Sequence, residues 1–208
     1  IARPAGDRLG SMYSTVAITA RSREKGPLRL LFLANVLPHK GLHRLIDALA
    51  AVSMRVWRLS VVGSLTMNKP YVRKIGARVD ACGLSQNIRF LGVQDGTSLA
   101  ATLKESHLLV LPYSHEAFGI VYLEGMAFGL PAVGSSVGAA REIIRHGENG
   151  FLVAPEDSAG LAKVVEDLYA DRNRLDAMSR RALATFRMHP GWQDTMKKIH
   201  VFLKTLAV

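Results

Sequence analysis

Short, mostly apolar runs alternate along the chain with segments in which apolar residues recur at helical spacing. In residues 40–52, for example, Leu42, Leu45, Ile46 and Leu49 share one face of a predicted helix. The apolar runs are typical of strands that are buried on both faces of a sheet. This alternation predicts an α/β fold, a Rossmann-like doubly wound parallel sheet of about six strands. The predicted strands are residues 28–36, 56–63, 87–92, 107–112, 131–136 and 151–155, and the predicted helices between and after them are residues 40–52, 70–82, 95–106, 118–128 and 138–147.

The two ends of the chain depart from this alternation. Residues 1–27 show no hydrophobic period and are predicted to be a linker or irregular lead-in, with the domain itself at residues 28–208. From Asp157 onward three helical patterns follow one another, and they predict a helical carboxy-terminal tail. A chain of 208 residues is long enough for one domain with a full hydrophobic core.

Charge and composition narrow the classes of function. The formal net charge of +10 favours anionic partners such as phosphates, nucleic acid or an anionic membrane face, although solvated helix faces explain it equally well. The single cysteine, Cys82, excludes a disulfide framework. His39 and His43 are spaced as metal ligands often are, but no acid completes a set, so no metal site is predicted. No D-x-D motif occurs, which disfavours a metal-dependent nucleotide-sugar fold, and the absence of G-x-G-x-x-G and P-loop motifs disfavours dinucleotide and ATP binding.

The segment HEAFGIVYLEGMAFGLPAV, residues 115–133, places two carboxylates in a stretch that otherwise reads as core. Its first residues form a loop between a predicted strand and a predicted helix, where open α/β sheets bind ligands. The first amides of that helix, at Phe118, Gly119 and Ile120, lack intrahelical partners and attract anions and hydroxyl oxygens. Glu116 lies at the mouth of this site, and the neighbouring His115 is either a contact to a ligand or a surface histidine.

The second carboxylate, Glu124, falls about two turns into the predicted helix among apolar neighbours. A buried carboxylate is costly unless it is paired or faces a polar ligand. Two explanations therefore stay open: an ion pair with a lysine or arginine, or hydrogen bonds to a vicinal diol such as a ribose.

A resemblance to a known family rests on these residues. The pattern E-A-F-G-x-x-x-x-E, with Glu116 and Glu124 eight apart, resembles the E-x7-E signature of group 1, or family 4, retaining glycosyltransferases, which have the two-domain GT-B fold. The segment ANVLPHKG, residues 34–41, resembles the family's G-R-x-x-x-x-K-G phosphate loop, with Ala34–Asn35 in place of glycine and arginine. Coverage is roughly residues 28–205, and the further matches in order and spacing are VVG (61–63), RFLG (89–92), VGAAREII (137–144) and HGENGFLV (146–153).

The resemblance implies roles for the matched residues around the donor sugar. Glu124 would hold the ribose hydroxyls. Glu116, one of two catalytic candidates, would hold the donor sugar and the distal phosphate together with the amides of Phe118, Gly119 and Ile120.

The resemblance also implies roles for three loops. Lys40, the other catalytic candidate, would neutralise the diphosphate leaving group. Asn35 would offer a hydrogen bond without the charge of the family's arginine. The loop after Gly63 and the backbone at Leu91 and Val93 would frame the base.

For the whole protein, the resemblance implies transfer of a hexosyl unit from a nucleotide-diphosphate sugar to a glycan or lipid-linked acceptor, with retention at the anomeric carbon. This chain would be the donor-binding half, with the amino-terminal acceptor domain missing, in agreement with its start at Ile1. The expected location is cytoplasmic, with peripheral contact to a membrane, and neither a cofactor nor a nucleic-acid partner is expected. Two alternatives stay open: a basic nucleic-acid-binding module, and half of a sugar-nucleotide epimerase.

Overall fold

Parallel strands form one six-stranded sheet in the part of the chain that the computed structural model describes, which is residues 6–7, 13–52, 54–112 and 118–206. The strands are β1 Leu28–Leu33, β2 Trp57–Val62, β3 Ile88–Gly92, β4 Leu108–Leu111, β5 Ala132–Ser135 and β6 Gly150–Val153. Their order across the sheet is β3-β2-β1-β4-β5-β6. The predicted fold class is therefore confirmed, and β1 and β4 occupy the centre of the sheet.

Helices cover both faces of the sheet, as the continuous apolar strands require. They are α1 Thr15–Arg23, α2 Leu42–Ala51, α3 Lys69–Ala81, α4 Gly96–Glu105, α5 Ile120–Ala127, α6 Ala140–Ile143, α7 Ser158–Ala170, α8 Arg172–Met188 and α9 Trp192–Leu206. Helix α2 packs against α3 and α7, whereas α8 packs against α1 and α5. The sequence Leu-Leu-Val-Leu of β4 is buried throughout because it lies between these two helical layers.

The predicted irregular lead-in contains a helix, and this part of the prediction is wrong. Helix α1 begins after Ser14, whose side chain accepts a hydrogen bond from the amide of Ala17, and it packs along α8. Its buried face consists of Ile18, Arg21 and Ser22. A face with two polar residues out of three produces no hydrophobic period, so the pattern of apolar residues could not reveal this helix.

Arg21 fixes α1 to the edge of the sheet where the strands begin. Its guanidinium donates to the carbonyl oxygens of Phe128 and Gly129 at 3.0 Å each, at the end of α5. It also donates to the carbonyl oxygens of Leu103 and Lys104, in the last turn of α4, at 3.4 and 3.2 Å. Carbonyl groups at helix ends lack intrahelical partners and carry partial negative charge, so a buried cation is stabilised there. Burial nevertheless lowers the pKa of Arg21 to about 10.

His107, directly before β4, completes this network. Its Nδ1 accepts from the amide of Arg29 at 3.0 Å, so its Nε2 carries the proton and donates to the carbonyl oxygen of Arg21, also at 3.0 Å. The imidazole is buried and neutral, because desolvation lowers its pKa to about 3. We call Arg21 and His107, with the backbone groups they contact, the amino-edge network.

Element boundaries differ from the prediction where local hydrogen bonding decides them. The helix predicted at residues 95–106 begins one residue later, as α4, because Asp95 is its N-cap and accepts from the amide of Ser98. The helix predicted at residues 138–147 is limited to the single turn of α6. The helix predicted at residues 118–128 is present as α5, one turn shorter than the expectation.

Helices α7, α8 and α9 confirm the predicted helical tail. In α9, Met196, Val201, Phe202 and Leu203 are more than half exposed. Among the described residues, no helix has the length and apolar character needed to cross a membrane.

Candidate functional site

The strand order reverses between β1 and β4, and loops diverge there at the carboxyl edge of the sheet. Such a reversal opens a crevice in which doubly wound folds bind ligands. The two loops that flank it touch one another, since a Cβ built on Gly41 would lie 2.5 Å from the carbonyl oxygen of Pro112. The predicted phosphate loop, residues 34–41, thus lies beside the chain that leaves β4.

Lys40 is the last residue of a 3₁₀ turn, Pro38–Lys40, directly before α2. The turn ends because Gly41 adopts a left-handed conformation, with φ 74°, which a residue with a side chain rarely adopts. Lys40 is half-buried and interacts within the folded chain. Its ammonium group and the amino-terminal end of α2 together bring positive charge to the crevice.

Asn35 connects the loop after β1 to the loop after β2. Its Oδ1 accepts from the amide of Ser64 at 2.9 Å, while the amide of Val36 donates to the carbonyl oxygen of Ser64 at 3.0 Å. Gly63, with φ 142°, makes this contact close, because a Cβ there would lie 2.1 Å from the carbonyl oxygen of Ala34. Only the Nδ2 group of Asn35 stays available as a donor to a ligand.

The loop after β3 joins the same group. The amide of Gly63 donates to the carbonyl oxygen of Gly92 at 2.8 Å, which places the predicted base-framing residues beside the loop after β2. Leu91 is half-buried, and Val93 is 76% exposed. The structure therefore brings Asn35, Lys40, Gly63, Leu91 and Val93 to one edge of the sheet.

The start of α5 lies two residues later than predicted. Gly119 is the N-cap, in a left-handed conformation with φ 69°, and the helix begins at Ile120. Phe118, 64% exposed, precedes the helix, so its amide is not one of the helical amides that the sequence suggested. The amide of Tyr122 donates to the carbonyl oxygen of Gly119. The first-turn amides that lack intrahelical partners are therefore those of Ile120 and Val121.

Glu124 is the fifth residue of α5, one turn into the helix rather than two, and it is only 7% exposed. The hydroxyl of Tyr122 donates to the carbonyl oxygen of Leu111 at 3.3 Å, which ties this helix to the end of β4. Glu124 interacts within the folded chain. His115 and Glu116 lie outside the described residues, so their predicted roles stay predictions.

The contact between His43 and Tyr71 was not predicted from the sequence. The hydroxyl of Tyr71 lies 2.8 Å from His43 Nδ1, which joins the first turns of α2 and α3 above the sheet edge. Burial lowers the pKa of His43 and raises that of Tyr71. The spacing of His39 and His43 was noted in the sequence, but it gave no indication that His43 contacts Tyr71. Among the described residues no cluster suited to a metal ion is found.

Comparison with known proteins identifies the family. The model of the family "Glycosyl transferases group 1" matches residues 17–185. D-rhamnosyltransferase WbpZ of Pseudomonas aeruginosa is 36% identical over 170 residues, which cover 79% of this chain and 42% of that protein. Phosphatidyl-myo-inositol mannosyltransferase of Mycobacterium leprae is 36% identical over 177 residues, which cover 82% and 44% of the respective chains. The chain thus spans less than half the length of these relatives.

Solved structures agree with the sequence comparison. HepE of Anabaena, in complex with UDP and glucose, is 25% identical, with a TM-score of 0.80 over 92% of this chain and 53% of that one. The carboxy-terminal domain of a group 1 glycosyl transferase, LpcC, from Francisella tularensis shares the fold, with 20% identity and a TM-score of 0.74 over 92% and 97% of the two chains. The chain therefore belongs to the group 1 glycosyltransferase family and has the fold of its carboxy-terminal domain.

Proposed function

We propose that this chain binds a nucleotide-diphosphate sugar at the carboxyl edge of its sheet, as the donor half of a retaining glycosyltransferase. The observation that carries the proposal is the convergence of three loops and the start of α5 at the reversal between β1 and β4. These elements offer a lysine, backbone amides and a nearby buried carboxylate within one crevice. The lysine and the amides match the diphosphate and the sugar of such a donor, and the carboxylate matches its ribose.

The diphosphate would bind where positive charge and free donors meet. As the glycosidic bond to the donor breaks, negative charge develops on the departing diphosphate. Lys40 and the first amides of α5 would stabilise that charge, and preorganised groups of this kind are a large source of rate enhancement. The Oδ1 of Asn35 accepts from the amide of Ser64 and could not donate to a phosphate, so Asn35 would contribute only its uncharged Nδ2 group.

The ribose would be recognised by Glu124. A buried carboxylate accepts two hydrogen bonds from a vicinal diol and thereby recovers part of the free energy lost on desolvation. Glu116 would hold the donor sugar, as the resemblance implies. We propose no cofactor and no protein nucleophile in this half.

The wider assignment rests on the relatives. Two of them are named as transferases of rhamnose and mannose, and a third was solved with UDP and glucose, which supports a hexosyl donor. We propose that an amino-terminal domain in cis supplies the acceptor site for a glycan or lipid-linked acceptor. We propose a cytoplasmic location with peripheral membrane contact for the whole protein, and no nucleic-acid partner.

A thermal-shift screen of this chain against UDP-, GDP- and ADP-sugars tests the proposal. A ligand at 100 times its Kd adds about 2.7 kcal/mol to the stability of the folded state, so one base class should raise Tm by several degrees. An oligonucleotide of equal phosphate content serves as the control. Stabilisation by the oligonucleotide alone would favour the nucleic-acid-binding alternative, and no response to any nucleotide sugar would refute donor binding.

The isolated chain should bind donor without transferring sugar. Transfer requires donor and acceptor to be held together, and the proposed acceptor site belongs to another domain. Transfer of labelled sugar to an acceptor by these 208 residues alone would contradict the proposal that donor and acceptor bind to separate domains.

A further inference from the structure

A polar groove of about 440 Å³ lies on the face of the sheet that α4 borders. Its floor is formed by residues of β1, β2 and β3, and Thr102, Glu105 and Ser106 line the side next to α4. Most of the groove lies far from the candidate site: Arg58 precedes Gly63 by five residues, roughly 16 Å along an extended strand. It approaches the candidate site at Leu91, which belongs to both, and at Gln94, which follows Val93 in the chain.

Three arginines project from neighbouring strands into this groove. Arg29 of β1 is the register partner of Arg58 of β2, and Arg89 of β3 is the partner of Ser60. Alternate residues of a strand point to the same face, so Arg58 and Ser60 share one face and all three arginines lie on it. All three line the groove.

Their charges are only partly compensated. Arg29 forms an ion pair with Glu24, at 2.7 Å, and donates to the carbonyl oxygen of Glu105. Arg58 and Arg89 are exposed, and neither makes an ion pair or side-chain hydrogen bond within the described residues. Glu105 contributes the one carboxylate among the described residues that line the groove. An excess of positive charge therefore remains.

Protection of the sheet edge explains only part of this arrangement. Strand β3 is an edge strand, and a charged side chain on such a strand discourages pairing with another sheet. That accounts for Arg89. It does not account for Arg58, because β2 lies inside the sheet with a strand on each side. Arg29 and Arg58 lie directly opposite one another in these parallel strands, and Arg29 is the one of the two that has a carboxylate partner among the described residues, Glu24.

We propose that the groove is a second anion site, for a ligand that carries a phosphate group. The planar guanidinium groups of Arg58 and Arg89 match the geometry of phosphate oxygens. Gln94 adds a donor, because its Oε1 accepts from the hydroxyl of Thr102 at 2.9 Å and its amide NH₂ group stays available. This site is independent of donor binding at Lys40.

Calorimetric titration with pyrophosphate tests the site in a Lys40→Ala background, which removes the main side-chain contact proposed for the donor phosphates. The double variant Arg58→Gln/Arg89→Gln should bind pyrophosphate at least tenfold more weakly than its background. The matched control is Arg73→Gln/Arg181→Gln, which removes the same charge from exposed positions on α3 and α8 and should change the affinity less than threefold. Circular dichroism melting of each variant establishes that it is folded.

Vesicles with and without phosphatidic acid distinguish the source of the phosphate group. If the ligand is a lipid, vesicles with phosphatidic acid should bind the background protein and lose binding in the Arg58→Gln/Arg89→Gln variant. If it is soluble, only pyrophosphate binding should depend on these arginines. Equal weakening of pyrophosphate binding in both double variants would show that net charge alone is responsible, and unchanged binding would show that the groove holds no anion. Either result overturns the proposal.

Discussion

The two edges of the sheet use polar groups in opposite ways. At the amino edge, Arg21 and His107 are buried and bonded to backbone groups of α1, α4, α5 and β1. At the carboxyl edge, Lys40 and Asn35 lie on loops whose shape depends on the left-handed glycines Gly41 and Gly63. Arg21 and His107 thus stabilise the fold at the amino edge, whereas Lys40 and Asn35 lie on loops that position backbone and charge for a ligand at the carboxyl edge.

Replacement of Arg21 by methionine should produce the largest effect and should affect stability alone. Four carbonyl oxygens would lose a charged donor, which we expect to lower the free energy of unfolding by about 3 kcal/mol or more. Urea unfolding measures this loss. The exposed Arg73→Met variant is the control and should stay within about 0.5 kcal/mol of the parent chain. If nucleotide affinity of the folded Arg21→Met protein also fell strongly, the separation between the two edges would be wrong.

Gly63→Ala should disturb both properties at once. A Cβ at this position meets the backbone of Ala34, which cannot move aside as a flexible side chain could, and the left-handed conformation adds strain. We expect a loss of stability on the order of 2 kcal/mol, together with weaker nucleotide binding. Gly76→Ala is the matched control, since Gly76 lies within α3 and a Cβ there meets nothing within 4 Å. That control should be neutral or slightly stabilising, and equal damage by both substitutions would contradict the account.

Glu124→Gln should weaken nucleotide binding by about 1.5–3 kcal/mol, the range for a hydrogen bond to a charged group. The amide retains the size of the side chain, so Tm should change little. Calorimetry and thermal unfolding of the same preparation give both quantities. A large fall in Tm with unchanged affinity would instead identify Glu124 as a member of a structural ion pair.

His107 should make stability depend on pH below neutrality. Its pKa is lowered to about 3 in the folded chain, whereas an unfolded histidine titrates near pH 6.5, so the unfolded state binds more protons between these values. The contribution is complete above about pH 6.5 and is lost as the pH falls towards 3, at roughly 1.4 kcal/mol per pH unit. Unfolding of the parent chain and of His107→Gln between pH 7 and 4.5 should show a shallower slope for the variant. Parallel slopes would mean that His107 is not the group responsible.

The sequence predicted the strands well because each is a short, mostly apolar run, although arginines occur at Arg29, Arg58 and Arg89. It missed α1 because the buried face of that helix includes Arg21 and Ser22, whose partners come from distant parts of the chain. The motif spacing located Lys40, Gly119 and Glu124 in the sequence. Only the strand order and the contact of Gly41 with Pro112 show that the loop of Lys40 lies beside the chain that leaves β4.

Other features of the site depend on tertiary pairing that no local pattern records. The hydrogen bond from the amide of Ser64 to Asn35 Oδ1 joins residues 29 positions apart, so the orientation of the Asn35 side chain could not be read from the sequence. The facing of Arg29 and Arg58 likewise follows from strand register. The period of apolar residues along the sequence identifies helices and strands, whereas the contacts between loops arise from the order in which the strands pair.

Calorimetric binding of a nucleoside diphosphate and of its parent nucleoside to the unmodified chain and to Lys40→Ala is the most direct test of the carboxyl edge as a donor site. The base is the one selected by the thermal-shift screen. The substitution should weaken the diphosphate at least tenfold, a difference of about 1.4 kcal/mol, and the nucleoside less than twofold, because only the diphosphate reaches the ammonium group. Some attraction should persist through the backbone amides of α5. Equal weakening of both ligands, or no weakening of either, would show that Lys40 does not contact the phosphates and would contradict the proposed site.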